Sequence, residues 1–248
     1  MLTKDELSRV PVDFNLYQKE KDYLQHIILA RIYSRAGNEL IFKGDTSLQK
    51  TFGLNRFSED LDFTHTKGFE LDKIERGLDE LERFYPTTYE KAEKRLSVNY
   101  KIKMEGPLFK GPQSMQTVRI DISVRERVLR EPALQFVTPL YNDIQPYLLV
   151  VMDHGEILWE KIRALLTRSK ARDLYDMYFM IQKGISIDLP MVQKKLEFYE
   201  VKYNSELLKG RILKLSDQWN RELSSLVRVK PSFELVVSTV FRILDEIQ

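Results

Sequence analysis

Leu24, Ile27, Ile28 and Ile32 recur at helical spacing and predict a helix over 17–36, stopped by Gly37-Asn38. Leu40-Ile41-Phe42 is a short apolar run that ends at Gly44 and predicts a buried strand. A helix is expected from Thr46 to Phe52, closed by Gly53-Leu54-Asn55. Asp60-Leu61-Asp62-Phe63 alternates with period two, as a strand does. Leu71, Ile74, Leu78 and Leu81 predict a helix over 70–84. Two longer alternations follow, one from Leu96 to Met104 and one from Val118 to Val124. The turn residues Glu105-Gly106-Pro107 and Gly111-Pro112 between them predict an antiparallel hairpin with a long loop. After Pro146 the period becomes helical, in the stripes Leu158, Ile162, Leu165, Leu166 and then Leu174, Met177, Tyr178, Ile181. The expected fold is α+β, with a mixed-sheet core over 1–145 and a helical domain over 146–248. No internal repeat is visible.

Composition narrows the chemistry. At 248 residues, one large domain or two small ones are expected. The absence of cysteine excludes disulfides, thiolate zinc sites, iron–sulfur clusters and a cysteine nucleophile. His26, His65 and His154 are too far apart in sequence for a local zinc motif and receive no catalytic role. No apolar run reaches membrane-spanning length, and Met1–Leu7 carries no apolar leader, so the expectation is a cytoplasmic protein with no membrane partner. Net charge is only +2, but it is unevenly spread. Residues 59–82 hold nine acids against three bases, and residues 91–130 hold ten bases, among them Lys101, Lys103 and Arg125, against four acids. Solvated surface charge accounts for most of these. A metal site beside an anion-binding surface is the alternative.

The block that carries chemistry is Phe42-Lys43-Gly44-Asp45-Thr46-Ser47, followed by Arg56-Phe57-Ser58-Glu59-Asp60-Leu61-Asp62-Phe63. A strand, a glycine turn and a helix start let phosphate approach backbone N–H groups. Gly44, Thr46 and Ser47 are therefore candidate nucleotide contacts. Arg56 and Ser58 either contact nucleotide or orient the acidic loop. Asp60 and Asp62, two apart on a strand, face one side. Paired carboxylates repel unless a cation lies between them, and oxygen ligands of this kind suit Mg²⁺. Asp121, mid-strand between apolar residues, fits as a third ligand. Taken alone, Asp60 and Asp62 are more often surface carboxylates at a strand end than metal ligands, and a mid-strand Asp121 can simply be salt-bridged.

These residues resemble the DNA polymerase beta-like nucleotidyltransferase superfamily, and more specifically the AbiEii family of nucleotidyltransferase toxins of type IV toxin–antitoxin and abortive-infection systems. The likeness begins near Glu20-Lys21-Asp22-Tyr23 and runs through the glycine turn and the Asp60–Asp62 block. It continues through Arg119-Ile120-Asp121-Ile122-Ser123 and ends at Glu160-Lys161 and Arg172-Asp173-Leu174-Tyr175-Asp176. It implies a nucleotidyltransferase core with a C-terminal helical bundle that closes the cleft. It implies transfer of NMP from an NTP to an acceptor hydroxyl, with the 3′ end of tRNA as one such acceptor. Mg²⁺ would sit on Asp60, Asp62 and Asp121. Lys161 would serve the triphosphate, Asp173 the active-site region, and a cognate antitoxin would accompany the protein.

One departure stands out. The family usually has Gly-Gly or Gly-Ser where this chain has Gly44-Asp45, which brings a carboxylate to the turn that meets triphosphate. Two alternatives stay open: nucleotidylation of a protein or small molecule, and a catalytically impaired nucleotide- or RNA-binding module.

Overall fold

The computed structural model describes residues 1–124 and 127–247, so Arg125 of the basic segment lies outside the described residues. The chain divides into two compact units, Met1–Gly53 with Phe57–Arg127 and Pro132–Val151, and Leu54–Arg56 with Val128–Glu131 and Met152–Gln248.

The first unit is a mixed sheet with helices packed against it. Its elements are α1 (Lys4–Arg9), α2 (Leu16–Ala36), β1 (Leu40–Lys43), α3 (Gly44–Thr51), β2 (Asp60–His65), α4 (Asp72–Glu82), β3 (Thr87–Lys94), β4 (Ser97–Met104), β5 (Gln116–Ser123), β6 (Ala133–Val137) and β7 (Tyr147–Val151). The strand order is β3-β4-β5-β2-β1-β7-β6. β2 runs parallel to β5 and β1 parallel to β7; the remaining pairs are antiparallel. The predicted hairpin is β4–β5, paired from Ser97–Ser123 to Met104–Gln116.

Alternation places one residue of each strand pair in the core and the next outside it. Phe42, Leu61, Phe63, Val98, Tyr100, Ile102, Val118, Ile120, Ile122, Leu149 and Val151 form one buried cluster with Leu24, Ile28 and Ile32 of α2 and Ile74, Leu78 and Leu81 of α4. On β2, β4 and β5 the other sheet face is thereby left to polar side chains. α2 starts at an Asn15–Gln18 capping box, which satisfies two orphan N–H groups reciprocally.

Three strands escape the sequence pattern. β3 is polar along nearly its whole length, with only Thr87 buried. β6 is an edge strand whose Leu134 and Phe136 are exposed. The segment after Pro146, expected to turn helical, first adds β7, because a five-residue apolar run fits strand and helix equally.

The second unit is helical: α5 (His154–Thr167), α6 (Ala171–Gln182), α7 (Leu189–Glu197), α8 (Ser205–Leu213), α9 (Ser216–Leu223) and α10 (Phe233–Glu246). Leu158, Trp159, Ile162, Leu165, Leu174, Met177, Trp219, Leu223, Val236 and Val240 are buried. Trp219 packs against Tyr175 and Phe233, with ring centroids 6.3 and 5.6 Å apart.

Candidate active site

Register brings three carboxylates onto the polar face of the sheet. Asp62 lies directly opposite Asp121 across the parallel β2–β5 pair, and Asp60 opposite Arg119. With Leu61, Phe63, Ile120 and Ile122 in the core, Asp60, Asp62 and Asp121 share the other face. Lys43 of β1 flanks Asp62 on its second side. Asn99 of β4 stands opposite Asp121 and donates from Nδ2 to its Oδ2 at 2.8 Å. Arg119 Nη1 lies 3.8 Å from Asp60 Oδ1.

The glycine turn abuts this group. Gly44 has φ +74°, and a Cβ there would sit 2.8 Å from Asp62 Oδ2. Both the backbone and the space therefore call for glycine. α3 begins at Gly44 with no side chain capping its first N–H groups. Its first turn holds Asp45.

The electrostatics follow from this crowding. Burial first, and the Asp45 carboxylate second, push the Asp62 carboxyl up to about 7. Asp121 and Asp60 add to the rise, and the Lys43 ammonium opposes it. Such a group shares a proton near neutral pH unless a cation replaces it. The donor set is carboxylate oxygen throughout, which fits a hard divalent ion.

The other expected residues have different surroundings. Thr46 and Ser47 are fully buried. The Thr46 hydroxyl donates to Ser58 Oγ at 2.7 Å and contacts the Asp60 carbonyl. The Ser47 hydroxyl donates to the Gly44 carbonyl at 2.9 Å. These side chains hold the turn, so what the turn offers an anion is backbone N–H. Ser58, also buried, fixes the entry to β2.

Arg56 belongs to the second unit. There it grips Asp176 in a two-pronged pair, Nε to Oδ1 at 2.6 Å and Nη2 to Oδ2 at 2.7 Å. Lys161 Nζ lies 2.6 Å from Asp176 Oδ2 and 3.2 Å from Asp173 Oδ1. Arg168 closes the group with two bonds to Asp173, at 2.9 and 2.8 Å. Arg56, Lys161, Asp173 and Asp176 are all buried. Arg56 was expected either to contact nucleotide or to orient the acidic loop, and its guanidinium bonds Asp176.

Sequence reasoning gave Lys43 and Asn99 no role at the carboxylates. Their strand parity carried that signal, because each occupies the polar face of its strand. Asp22 and Gln25 were also overlooked, since nothing local marks a helix residue whose partner lies 25 or more positions away.

A family model described as "Nucleotidyl transferase AbiEii toxin, Type IV TA system" matches residues 27–240. Among solved structures, MenT4, the nucleotidyltransferase toxin Rv2826c from Mycobacterium tuberculosis H37Rv, superposes with TM-score 0.70 at 19% identity, over 100% of this chain and 91% of that one. JHP933 from Helicobacter pylori superposes with TM-score 0.56 at 20% identity, over 100% and 93%. At these identities the structures speak for the fold. A search of curated proteins by sequence gives no match.

Proposed function

The chain belongs to the AbiEii family of nucleotidyltransferase toxins of type IV toxin–antitoxin systems, and from that premise we propose that it transfers NMP from an NTP to an acceptor hydroxyl at the Asp60–Asp62–Asp121 face. The observation that carries this reading is the register of β2 on β5, which sets Asp62 beside Asp121 and next to the Gly44 turn. In the reaction the acceptor oxygen forms a bond to the α-phosphorus. The bond from that phosphorus to the bridging oxygen breaks, and pyrophosphate leaves. The N–H groups at the start of α3 receive phosphate oxygens, with Gly44 leaving room for their approach. Asp60, Asp62 and Asp121 would hold Mg²⁺, which when bound neutralises phosphate charge and makes the hydroxyl more acidic. Asn99 orients the Asp121 carboxylate, whose free oxygen can take the proton of the attacking hydroxyl.

From the family resemblance alone, Lys161 is proposed to serve the triphosphate, and Asp173 holds Lys161 and Arg168 in place. Lys161→Ala then lowers NTP turnover; unchanged turnover removes the assignment. The proposed acceptor is the 3′ end of tRNA, the proposed setting is the cytoplasm, and the proposed partner is a cognate antitoxin. Among the described residues no helix is long and apolar enough to cross a membrane.

Incubation with each labelled NTP, Mg²⁺ and total RNA tests the reading. Label on RNA, with acceptor binding that weakens steeply in salt, supports it. Label on protein moves the acceptor to the protein-nucleotidylation alternative. A second reading, a nucleotide-binding module with weak turnover, rests on Asp45. This carboxylate stands close enough to Asp62 to raise its pKa more than any other charged group does. Asp45→Ser that tightens NTP binding by orders of magnitude favours that module.

A further inference from the structure

We propose that four buried polar residues at the start of α2, Glu20, Lys21, Asp22 and Gln25, are positioning residues for the carboxylate site, and that Gln25 sets the place of the Asp60–Asp62 strand. The inference rests on the reading of that site given above. All four are almost wholly buried, at 1%, 5%, 3% and 0% exposure.

Gln25 Nε2 donates to the carbonyls of Ser58 and Glu59, at 3.0 Å each, the two residues that immediately precede Asp60. Two carbonyl acceptors leave the amide a single orientation, because only its NH₂ end can face them. Lys21, one helical turn away from Gln25, places Nζ 3.4 Å from Glu59 Oε1. The Ser58 N–H donates to Gln49 Oε1 at 3.0 Å, and Gln49 Nε2 donates to Asp22 Oδ1 at 2.6 Å. Asp22 also pairs with Lys50 and accepts from the Tyr141 hydroxyl at 2.7 Å. α3 and the entry to β2 are thus fixed to one post.

The third segment is the loop from β4 to β5. Glu20 Oε1 accepts from Leu108 N–H at 2.6 Å, and its Oε2 accepts from Gln116 Nε2 at 2.8 Å. Gln116 is the first residue of β5, the strand that carries Asp121. Gly106 packs so closely on the Glu20 carboxylate that a Cβ would collide with it.

Each segment leading into the site is therefore tied to α2 by a directed polar contact. A fully buried helix position is ordinarily filled more simply by an apolar side chain. Gln25 instead keeps an amide whose Oε1 finds no protein partner among the described residues. What a directed donor supplies there, and an apolar side chain does not, is fixed alignment of the backbone just ahead of Asp60. Carboxylates that repel one another need such restraint to stay converged.

The test is Gln25→Met, which keeps the bulk and removes the donor. Gln49→Met serves as the second variant should the first not fold. A core variant, Ile74→Val or Leu78→Ala, whichever matches the loss in Tm, controls for plain destabilisation. Mn²⁺ binding to the metal-free protein is read by calorimetry, and NMP transfer by kcat and KM. The expected result is at least a tenfold loss in Mn²⁺ affinity and in kcat, with KM for NTP changed less than twofold and the Tm-matched control within twofold of wild type throughout. Gln25→Met that binds Mn²⁺ within twofold of wild type overturns the proposal, as does a control that loses as much. If the wild type transfers no NMP yet Gln25→Met weakens Mn²⁺ binding, the positioning role stands and the transfer reading falls. A wild type that binds no Mn²⁺ sinks both.

Discussion

The two units treat charge in opposite ways. On the sheet face of the first unit, Asp45, Asp60, Asp62 and Asp121 crowd together with Lys43 opposing them, and Asp62 is driven up to about 7. In the second unit, Asp173 and Asp176 are more deeply buried, yet each is gripped by two cations, Lys161 with Arg168 and Lys161 with Arg56. A buried carboxylate held between two cations has its charge compensated. A set of like charges that raises its own pKa is incomplete until a proton or a cation joins it. On the proposed reading the contrast favours the sheet face for the ion and gives the helical network the part of a scaffold around Lys161 and Arg168.

Removing one member of the paired network gives the largest effect. Asp176→Ala leaves Arg56 and Lys161 buried without that carboxylate and costs about 3–5 kcal/mol, read by urea unfolding. A loss near zero would erase the distinction between the two regions. On the other side, Asp62→Asn lowers NMP transfer roughly a hundredfold to a thousandfold, the scale on which one electrostatic contributor to a transition state acts. It leaves Tm unchanged or raised, because a repelled carboxylate is gone. If Asp62→Asn unfolds the protein while Asp176→Ala does not, the comparison is inverted.

Gly44→Ala is expected to cost about 1–3 kcal/mol, since φ is +74° and the new methyl meets Asp62 Oδ2 at 2.8 Å. Thermal melts of the variant measure it, and an unchanged Tm would mean that the turn relaxes freely.

The last effect is a pH dependence. The Asp62 carboxyl rises from the ordinary aspartate value of 3.8 to about 7 on folding. Below 3.8 it is protonated in both the folded and unfolded chains and contributes nothing. As pH rises toward 7, the unfolded chain gives up this proton first, so this group's stability contribution falls and then levels off. On the proposed reading a divalent cation substitutes for that proton. Tm of the protein is therefore raised more by added Mg²⁺ at pH 8 than at pH 5.5, and the reverse order would contradict the assignment.

Much of the carboxylate face was legible in the sequence because its signals are local. The period-two alternations at Asp60–Phe63 and Val118–Val124 fix which residues turn away from the core, and Gly44 marks the turn. The pairing of Asp62 with Asp121 needed only that those two strands be neighbours. The edge strands were not legible, because β3 and β6 bury too little to show alternation. The partners of Arg56, Lys161 and Gln25 were hidden for a different reason. Arg56 meets Asp176 across 120 residues, and Gln25 meets Ser58 across 33. The Arg56 block offered nucleotide contact or loop orientation, and the bond to Asp176 could not be read from it.

The most direct test of the central claim is anomalous diffraction from crystals grown with Mn²⁺. The account predicts a peak on the sheet face, bound by Asp62 and Asp121 beside Gly44, and its loss in Asp62→Asn. A peak on the Asp173–Asp176 pair with none at Asp62, or a peak that persists unchanged in Asp62→Asn, would contradict it.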